Sequence, residues 1–169
     1  MSIALATLLR NIPVPQQYLV ALACGEVVQR VRPARVPGSR SVRLVTGGAL
    51  AAVAISLIGW SLHATHDVDL GHPDRLVTSG PYALSRNPMY VAWAALAVGA
   101  GLLRNSMWML ASVPIGAGFV HRDVLTEEHA LATRYPEQFP QYASAVPRYA
   151  SARQVAGLLD QRSDTHPLD

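Results

Sequence analysis

Apolar residues gather in four stretches separated by polar connectors, and their lengths predict a bundle of helices. The clearest stretch, Leu44 to Leu62, carries no charge. It is about as long as the ~20 helical residues that cross a hydrocarbon core, so a transmembrane helix is expected over 44–62. Val14 to Val31 is interrupted by Gln16, Gln17, Glu26 and Gln29. A second spanning helix is expected at about 14–31, with Glu26 turned toward other helices or an internal cavity, because an ionisable group facing lipid is expensive. The longest run, Pro88 to Val120, is broken only by Arg104-Asn105-Ser106. As one helix it would reach roughly 50 Å at ~1.5 Å per residue, against a core of about 30 Å. It should therefore fold as a hairpin, with helices about 88–103 and 106–122 and the second continuing toward Leu131. The expected fold is all-α: a polytopic integral membrane protein of about four transmembrane helices, one domain over 1–150 and a polar tail over 151–169, with an amphipathic stretch at Ala152 to Leu159.

The start of the third stretch has its own logic. Asn87 is a favoured helix N-cap and Pro88 suits the first helical position, where a missing N–H costs nothing. Such a start presents unpaired N–H groups and the positive end of the helix dipole, with Arg86 just outside, and would favour an anionic ligand group. Ser79-Gly80-Pro81-Tyr82 reads as a turn upstream. The same residues would serve equally to start a membrane helix and anchor it through Tyr82, Arg86 and Tyr90. In the hairpin, Trp93 falls near the level of Gly116 and Gly118, which either leave room for a ligand or let helices pack closely.

Composition agrees with a membrane protein. Half of the 169 residues are hydrophobic and 15% are charged, with a mean hydropathy of +0.20. All 14 basic residues are Arg, and the formal charge of +3, with Arg near the ends of apolar stretches, fits anionic lipid headgroups better than nucleic acid. The lone Cys24 excludes an internal disulfide and a thiolate metal cluster. The polar loop His63 to Arg75 holds three His and three Asp at no standard ligand spacing, and no metal is expected.

Two blocks carry the candidate chemistry. The first is Leu76 to Tyr90, LVTSGPYALSRNPMY. The second is His121 to Tyr149, HRDVLTEEHALATRYPEQFPQYASAVPRY, with a Glu127-Glu128 pair, Leu131, the aromatics Tyr135, Phe139 and Tyr142, and a Val146-Pro147-Arg148 end. In order and spacing these blocks resemble the integral-membrane methyltransferases related to isoprenylcysteine carboxyl methyltransferase and phospholipid methyltransferase, in a bacterial-type version. The resemblance covers about Leu76 to Tyr149 and, more weakly, extends back to Leu44. Asn87 stands where many members have His, Tyr135-Pro136 where Phe-Gly is usual, and Phe139 where Tyr is common. No role needing an imidazole at 87 or a hydroxyl at 139 is carried over.

The resemblance implies methyl transfer from S-adenosylmethionine to a lipophilic acceptor, whether carboxylate, thiol or lipid headgroup. It implies a cofactor site in 76–90 and 121–149 built from Gly80, Pro81, Tyr82, Arg86, Asn87, Pro88, Tyr90, Glu127, Glu128 and Tyr135. Arg86 and Asn87 would hold the amino-acid end, and Glu127 and Glu128 would offset positive groups; Arg86, Glu127 and Glu128 are the catalytic candidates. Trp93, Tyr142 and Arg148 would contact the acceptor, although Arg148 would serve equally as a lipid anchor. His121 and His129 lie outside the matched motif, so an acceptor already deprotonated near neutral pH is expected over an amine. The cofactor is cytosolic, which puts the active site on the cytoplasmic face of a bacterial inner membrane. The Arg-rich connector Arg32 to Arg43 argues for the reverse. The rival readings are an NADPH-dependent membrane reductase of the steroid 5α-reductase type and a non-catalytic small membrane protein.

Overall fold

The computed structural model describes residues 15–66, 68 and 75–149. All regular structure among them is helical: α1 Gln16–Val31, α2 Arg40–Ala64, a single 3₁₀ turn Gly80–Ala83, α3 Pro88–Leu103, α4 Met107–Arg134 and the short α5 Gln138–Ala145. The expected stretch at Ala152 to Leu159 and most of the His63 to Arg75 loop lie outside the described residues.

Local chemistry sets the ends. Ser39 caps α2 by accepting from the Val42 N–H (3.2 Å), and Ser106 caps α4 by accepting from the Met109 N–H (3.2 Å). Between α3 and α4 the chain turns on Asn105, whose φ of 56° is left-handed. The Ser106 N–H reaches the Gly101 carbonyl and the Asn105 N–H that of Leu102, both at 3.0 Å. This paired closure of a helix C-terminus is why three polar residues suffice for the hairpin. The second arm continues beyond 122, as expected. It runs on to Arg134, because the sequence beyond the apolar part stays rich in helix formers and meets no breaker before Pro136.

Adjacent helices alternate in direction, and α2 packs on α3, α3 on α4 and α4 on α1. One end of the bundle gathers the 32–39 connector and the hairpin turn. There the Trp108 indole donates to the Arg32 carbonyl (2.7 Å), the Val36 N–H to Asn105 (3.0 Å), and Arg104 pairs with Glu26 (2.7 Å). Glu26 is thus satisfied at the hairpin end, not at a cofactor cavity, which corrects one of the two expectations for it. The opposite end gathers the start of α1, the 3₁₀ turn, the start of α3 and α5. It holds both sequence blocks and is termed the motif end. Between the ends lies a core of Tyr18, Ala97, Val113, Val120 and Val124, with Tyr90 and Trp93 packed against it.

Glycines let the helices touch. A Cβ on Gly99 would stand 2.9 Å from the Gly47 carbonyl oxygen across the α2–α3 contact, and one on Gly25 would stand 2.8 Å from the α4 backbone. Gly116 faces the Tyr18 ring at 2.9 Å, so it serves close packing; Gly118 meets nothing within 4 Å. Small residues at helix crossings are the pattern of bundles held by van der Waals contact in lipid. Among the described residues one helix, α2, is long and apolar enough to cross a membrane, and α3 is a shorter apolar helix. Only 11% of the apolar window of α2 is buried, the reverse of a soluble core helix. Of the four spans expected from the sequence, the described residues thus show one clear candidate, and the four-span arrangement is not confirmed.

Gly99→Leu should destabilise the protein by roughly 1–3 kcal/mol, the usual cost of overpacking. Gly48→Ala, with nothing within 4 Å of its added Cβ, should cost nothing. Thermal unfolding of the two variants in the same detergent compares them; equal melting temperatures would mean that the α2–α3 contact is not tight.

Candidate active site

The first block reaches the motif end through a glycine that no other residue replaces without strain. Gly80 has φ +61°, and a Cβ there would stand 3.3 Å from Ala64 and 3.4 Å from the Trp60 indole. The 3₁₀ turn therefore lies against the end of α2. The Pro81 carbonyl accepts from the N–H groups of Leu84 and Ser85, both at 3.1 Å. The Ser85 hydroxyl accepts from the Asn87 N–H (3.1 Å) and donates to the Arg148 carbonyl (3.1 Å).

α3 starts at Pro88 with Asn87 as its first flanking residue, but the Asn87 side chain makes no capping bond. It is drawn instead to Glu128 and to the Arg148 carbonyl, both at 3.3 Å. Glu128 is the meeting point of the site. Arg86 donates to it from Nε (3.1 Å) and Nη2 (3.3 Å), and Arg148 from Nε (2.9 Å) and Nη2 (2.8 Å). Arg86 also donates to the Ala143 (2.7 Å) and Val146 (3.1 Å) carbonyls. Its backbone N–H reaches the Pro147 carbonyl (2.9 Å), and its guanidinium lies over the Phe139 ring (6.0 Å). The Tyr142 hydroxyl donates to the Tyr82 carbonyl (2.7 Å). Two segments some 40 to 60 residues apart in sequence are thus joined through one carboxylate and a set of backbone carbonyls.

The electrostatics follow from this geometry. Burial by itself would raise the Glu128 carboxyl, but the hydrogen bonds from Arg148 and Arg86 outweigh it and hold it below the usual carboxylate range. The same bond, opposed by burial, raises Arg148. Burial pushes the Tyr142 phenol up to about 12, with Arg86 opposing, and raises Tyr82 as well. Two guanidiniums share one carboxylate, leaving one unit of positive charge in the cluster.

Glu127, the preceding residue on α4, looks elsewhere. It accepts from the Tyr90 hydroxyl (2.6 Å), near Asp123, to which the Gln17 amide of α1 donates. His121 Nδ1 and the Tyr149 hydroxyl lie 2.9 Å apart alongside. Although the residue as a whole reaches solvent, protein crowds its carboxylate: desolvation raises the Glu127 pKa, the Tyr90 bond opposes, and Asp123 adds repulsion.

The site residues expected from the sequence therefore assemble at one end of the bundle, with a division not foreseen. Arg86, Asn87, Glu128, Arg148 and Tyr142 bind one another or backbone carbonyls. Tyr90 and Glu127 form a second pair, Tyr135 closes the end of α4, and Trp93 lies deeper against the core. Sequence reasoning gave no site role to Ser85, Asp123, Gln17 and Tyr18, and named Phe139 only as part of the family pattern. The i, i+3 spacing of Phe139 and Tyr142 could have revealed α5; nothing in the sequence pairs Gln17 with Asp123.

The phospholipid methyltransferase family model matches residues 42–138, more than half of the chain. Among curated proteins, the cobalt-zinc-cadmium resistance protein CzcN of Cupriavidus metallidurans is 36% identical over 75 residues, 44% of this chain and 34% of that protein. The nickel-cobalt-cadmium resistance protein NccN of Alcaligenes xylosoxydans xylosoxydans is 33% identical over 75 residues, 44% of this chain and 35% of that protein. The matched region thus spans about a third of the length of these relatives. No solved structure matches significantly.

Glu128 gives a pH signature. Its pKa is lower folded than unfolded, so it contributes stability that is complete above the unfolded value of about 4.3 and is lost as pH falls through the folded value. Glu128→Gln should lower the melting temperature at pH 7, by the order of 3 kcal/mol expected when a buried pair loses one partner, and flatten the acid limb below pH ~4. Melting curves from pH 3 to 7 check this; an unchanged acid limb would assign the acid sensitivity to other carboxylates.

Proposed function

The chain belongs to the phospholipid methyltransferase family, and from that premise we propose that it transfers a methyl group from S-adenosylmethionine to a lipophilic acceptor at a membrane. The observation that carries the reading is the joining of the two sequence blocks through Glu128, with Glu127 beside it held to Tyr90 alone.

The donor set suits that cofactor, which when bound supplies a methyl on a sulfonium already activated for nucleophilic attack. Glu127, with Asp123 nearby, would meet the positive groups, because Glu128 is already matched by two arginines. The rings of Tyr82, Tyr90 and Tyr135 would line the pocket, each adding on the order of 0.5–2 kcal/mol toward a cation at its face. The surplus positive charge of Arg86 and Arg148, beside Asn87 and the Pro88 helix start, favours a carboxylate. Gly80 and Pro81 set the path of the backbone there. Arg86, Glu128, Arg148 and Tyr142 act chiefly as positioning residues that fix the first block against α4 and α5. With an activated donor, the protein's work is alignment and exclusion of water, and no covalent intermediate is needed. Trp93 would contact the acceptor. The relatives' names speak of metal resistance; among the described residues no group of three or more His, Cys, Asp or Glu side chains comes together, and the proposal uses no metal.

The four helices α1 to α4 would span or line a bacterial inner membrane, with the motif end toward the cytoplasm, where the cofactor is. The exposed Val20, Val27, Val53, Ile55, Ile115 and Phe119 would face acyl chains.

S-adenosylhomocysteine should raise the melting temperature of the detergent-purified protein, since a ligand that binds only the folded state stabilises it, and NADPH should not. The opposite pattern would favour the reductase. Glu127→Gln should reduce the S-adenosylhomocysteine shift without lowering the melting temperature of the ligand-free protein. Its carboxyl has a raised folded pKa, so at neutral pH its charge opposes folding. For topology, Arg35→Cys and Glu137→Cys in a Cys24→Ala background should be labelled in intact cells at position 35 and not at 137. Labelling at 137 alone would reverse the orientation.

A further inference from the structure

At the hairpin end the connector satisfies its backbone polar groups internally and leaves three arginine side chains over. The Arg32 carbonyl accepts from the Trp108 indole (2.7 Å). The Ala34 N–H donates to Gln29 (3.3 Å), and the Ala34 carbonyl accepts from the Met107 N–H (3.0 Å). The Val36 N–H donates to Asn105 (3.0 Å), and Arg43 donates to the Gly38 carbonyl (2.8 Å). Pro33 and Pro37 fix φ at two further positions. The 32–39 connector is therefore held along its length, yet Arg32, Arg35 and Arg40 are exposed and their side chains meet no acid among the described residues. The sequence supplies none nearby: Asp and Glu are absent from 27–66 and from 75–122, and Glu26 is already shared by Arg30 and Arg104.

What borders the arginines identifies the partner. Val31, Val42, Val45, Leu103 and Met107 are exposed at the same end. Trp108, its indole N–H engaged, keeps part of its ring at the surface. Guanidiniums and an aromatic ring bordering an apolar band are how a helix bundle meets the boundary between acyl chains and headgroups. Nucleic acid or an acidic protein would answer the charge but leave the apolar side chains in water. The exposed apolar surface also continues along the bundle through Val27, Val53 and Ile55, and a bilayer covers such a surface without a break. The planar fork of Arg matches phosphate oxygens, and a leaflet presents many phosphates, so the three side chains need not converge on one.

We infer that the hairpin end docks on the headgroups of an anionic phospholipid leaflet through Arg32, Arg35 and Arg40, and so prefers anionic to zwitterionic lipid. The inference goes beyond methyl transfer and does not depend on it, since it concerns the end of the bundle away from the candidate site. Arg43, turned back onto the connector, and Arg104, held by Glu26, have partners within the fold and take no part in it.

The test is lipid retention by the full chain, immobilised in an uncharged maltoside detergent and equilibrated with equal amounts of phosphatidylglycerol and phosphatidylcholine of the same acyl chains. Retained phosphatidylglycerol should exceed phosphatidylcholine by roughly fivefold for each arginine engaged, the ratio equivalent to about 1 kcal/mol. The excess should fall as salt is raised, because exposed charges are screened. Replacing all three residues, Arg32→Gln, Arg35→Gln and Arg40→Gln, should bring the ratio close to one. The same variant should keep its melting temperature in lipid-free detergent, since the three side chains support nothing in the fold. Arg122→Gln with Arg134→Gln, exposed at the motif end, should keep the ratio of the unaltered chain. A ratio near one in the unaltered chain, or an excess that survives the triple replacement, overturns the inference. Displacement of phosphatidylglycerol by inorganic phosphate or by polyglutamate, at an ionic strength where chloride displaces nothing, also overturns it, in favour of a free ion or an acidic protein. None of these outcomes bears on the S-adenosylhomocysteine shift, so the methyltransferase reading stands or falls separately.

Discussion

A single carboxylate, Glu128, must satisfy two guanidiniums, and the motif end is arranged around that requirement. Arg86 enters from the loop before α3 and Arg148 from the chain after α5, so neither can reach Glu128 unless both segments close over α4. Desolvating three charges is costly, and their attraction compensates only when the geometry is good and the remaining donors are used. Here they are used: Arg86 spends its other N–H groups on carbonyls of the C-terminal segment, and Asn87 fills a remaining acceptor site on Glu128. The cluster is therefore less a source of net stability than a device for specificity, since few other closures would leave these charges paired.

That role explains what the sequence could and could not show. Helix ends were legible where local chemistry decides them: Pro88 opens α3, and Arg104-Asn105-Ser106 makes the hairpin because it is the one polar interruption of a run too long for a bilayer. The gathering of Leu76 to Tyr90 with His121 to Tyr149 was legible only through family resemblance, since no periodicity links segments so far apart. What failed was the assignment of each polar group to a partner. Asn87 has the residue type of an N-cap, yet its side chain turns to the buried Glu128 carboxylate and makes no capping bond. Glu26, expected to face other helices or a cavity, pairs with Arg104 of another helix, a partner that composition cannot name.

The distribution of charge on the bundle sets a second constraint. Arg30, Arg32, Arg35 and Arg40 lie exposed at the hairpin end, with Glu26 the acid paired there. At the motif end, Arg86 and Arg148 are held by Glu128. Arginines thus outnumber acids at the hairpin end, while the motif end exposes Arg122 and Arg134 beside Asp123, Glu127 and Glu137. The positive-inside tendency counts such charges, whereas the proposed use of a cytosolic cofactor would open the site on the cytoplasmic side. Under the proposed cofactor use the two pull in opposite directions.

Glu127 and Glu128 are neighbours in sequence but point about 100° apart on the helix, and this angle divides their work. Glu128 turns inward, is matched by more positive charge than it carries, and has its pKa lowered. Glu127 turns toward Tyr90 and Asp123, is matched by a neutral hydroxyl, and has its pKa raised. A cation placed beside Glu127 would favour its charged form, against the crowding and the Asp123 repulsion that raise its pKa. The neighbouring pair therefore differs in its partners: Glu128 fastens two segments through arginines, and Glu127 meets a neutral hydroxyl. An adjacent acidic pair on a helix can serve both ends only if the flanking segments supply arginines to one face and withhold them from the other.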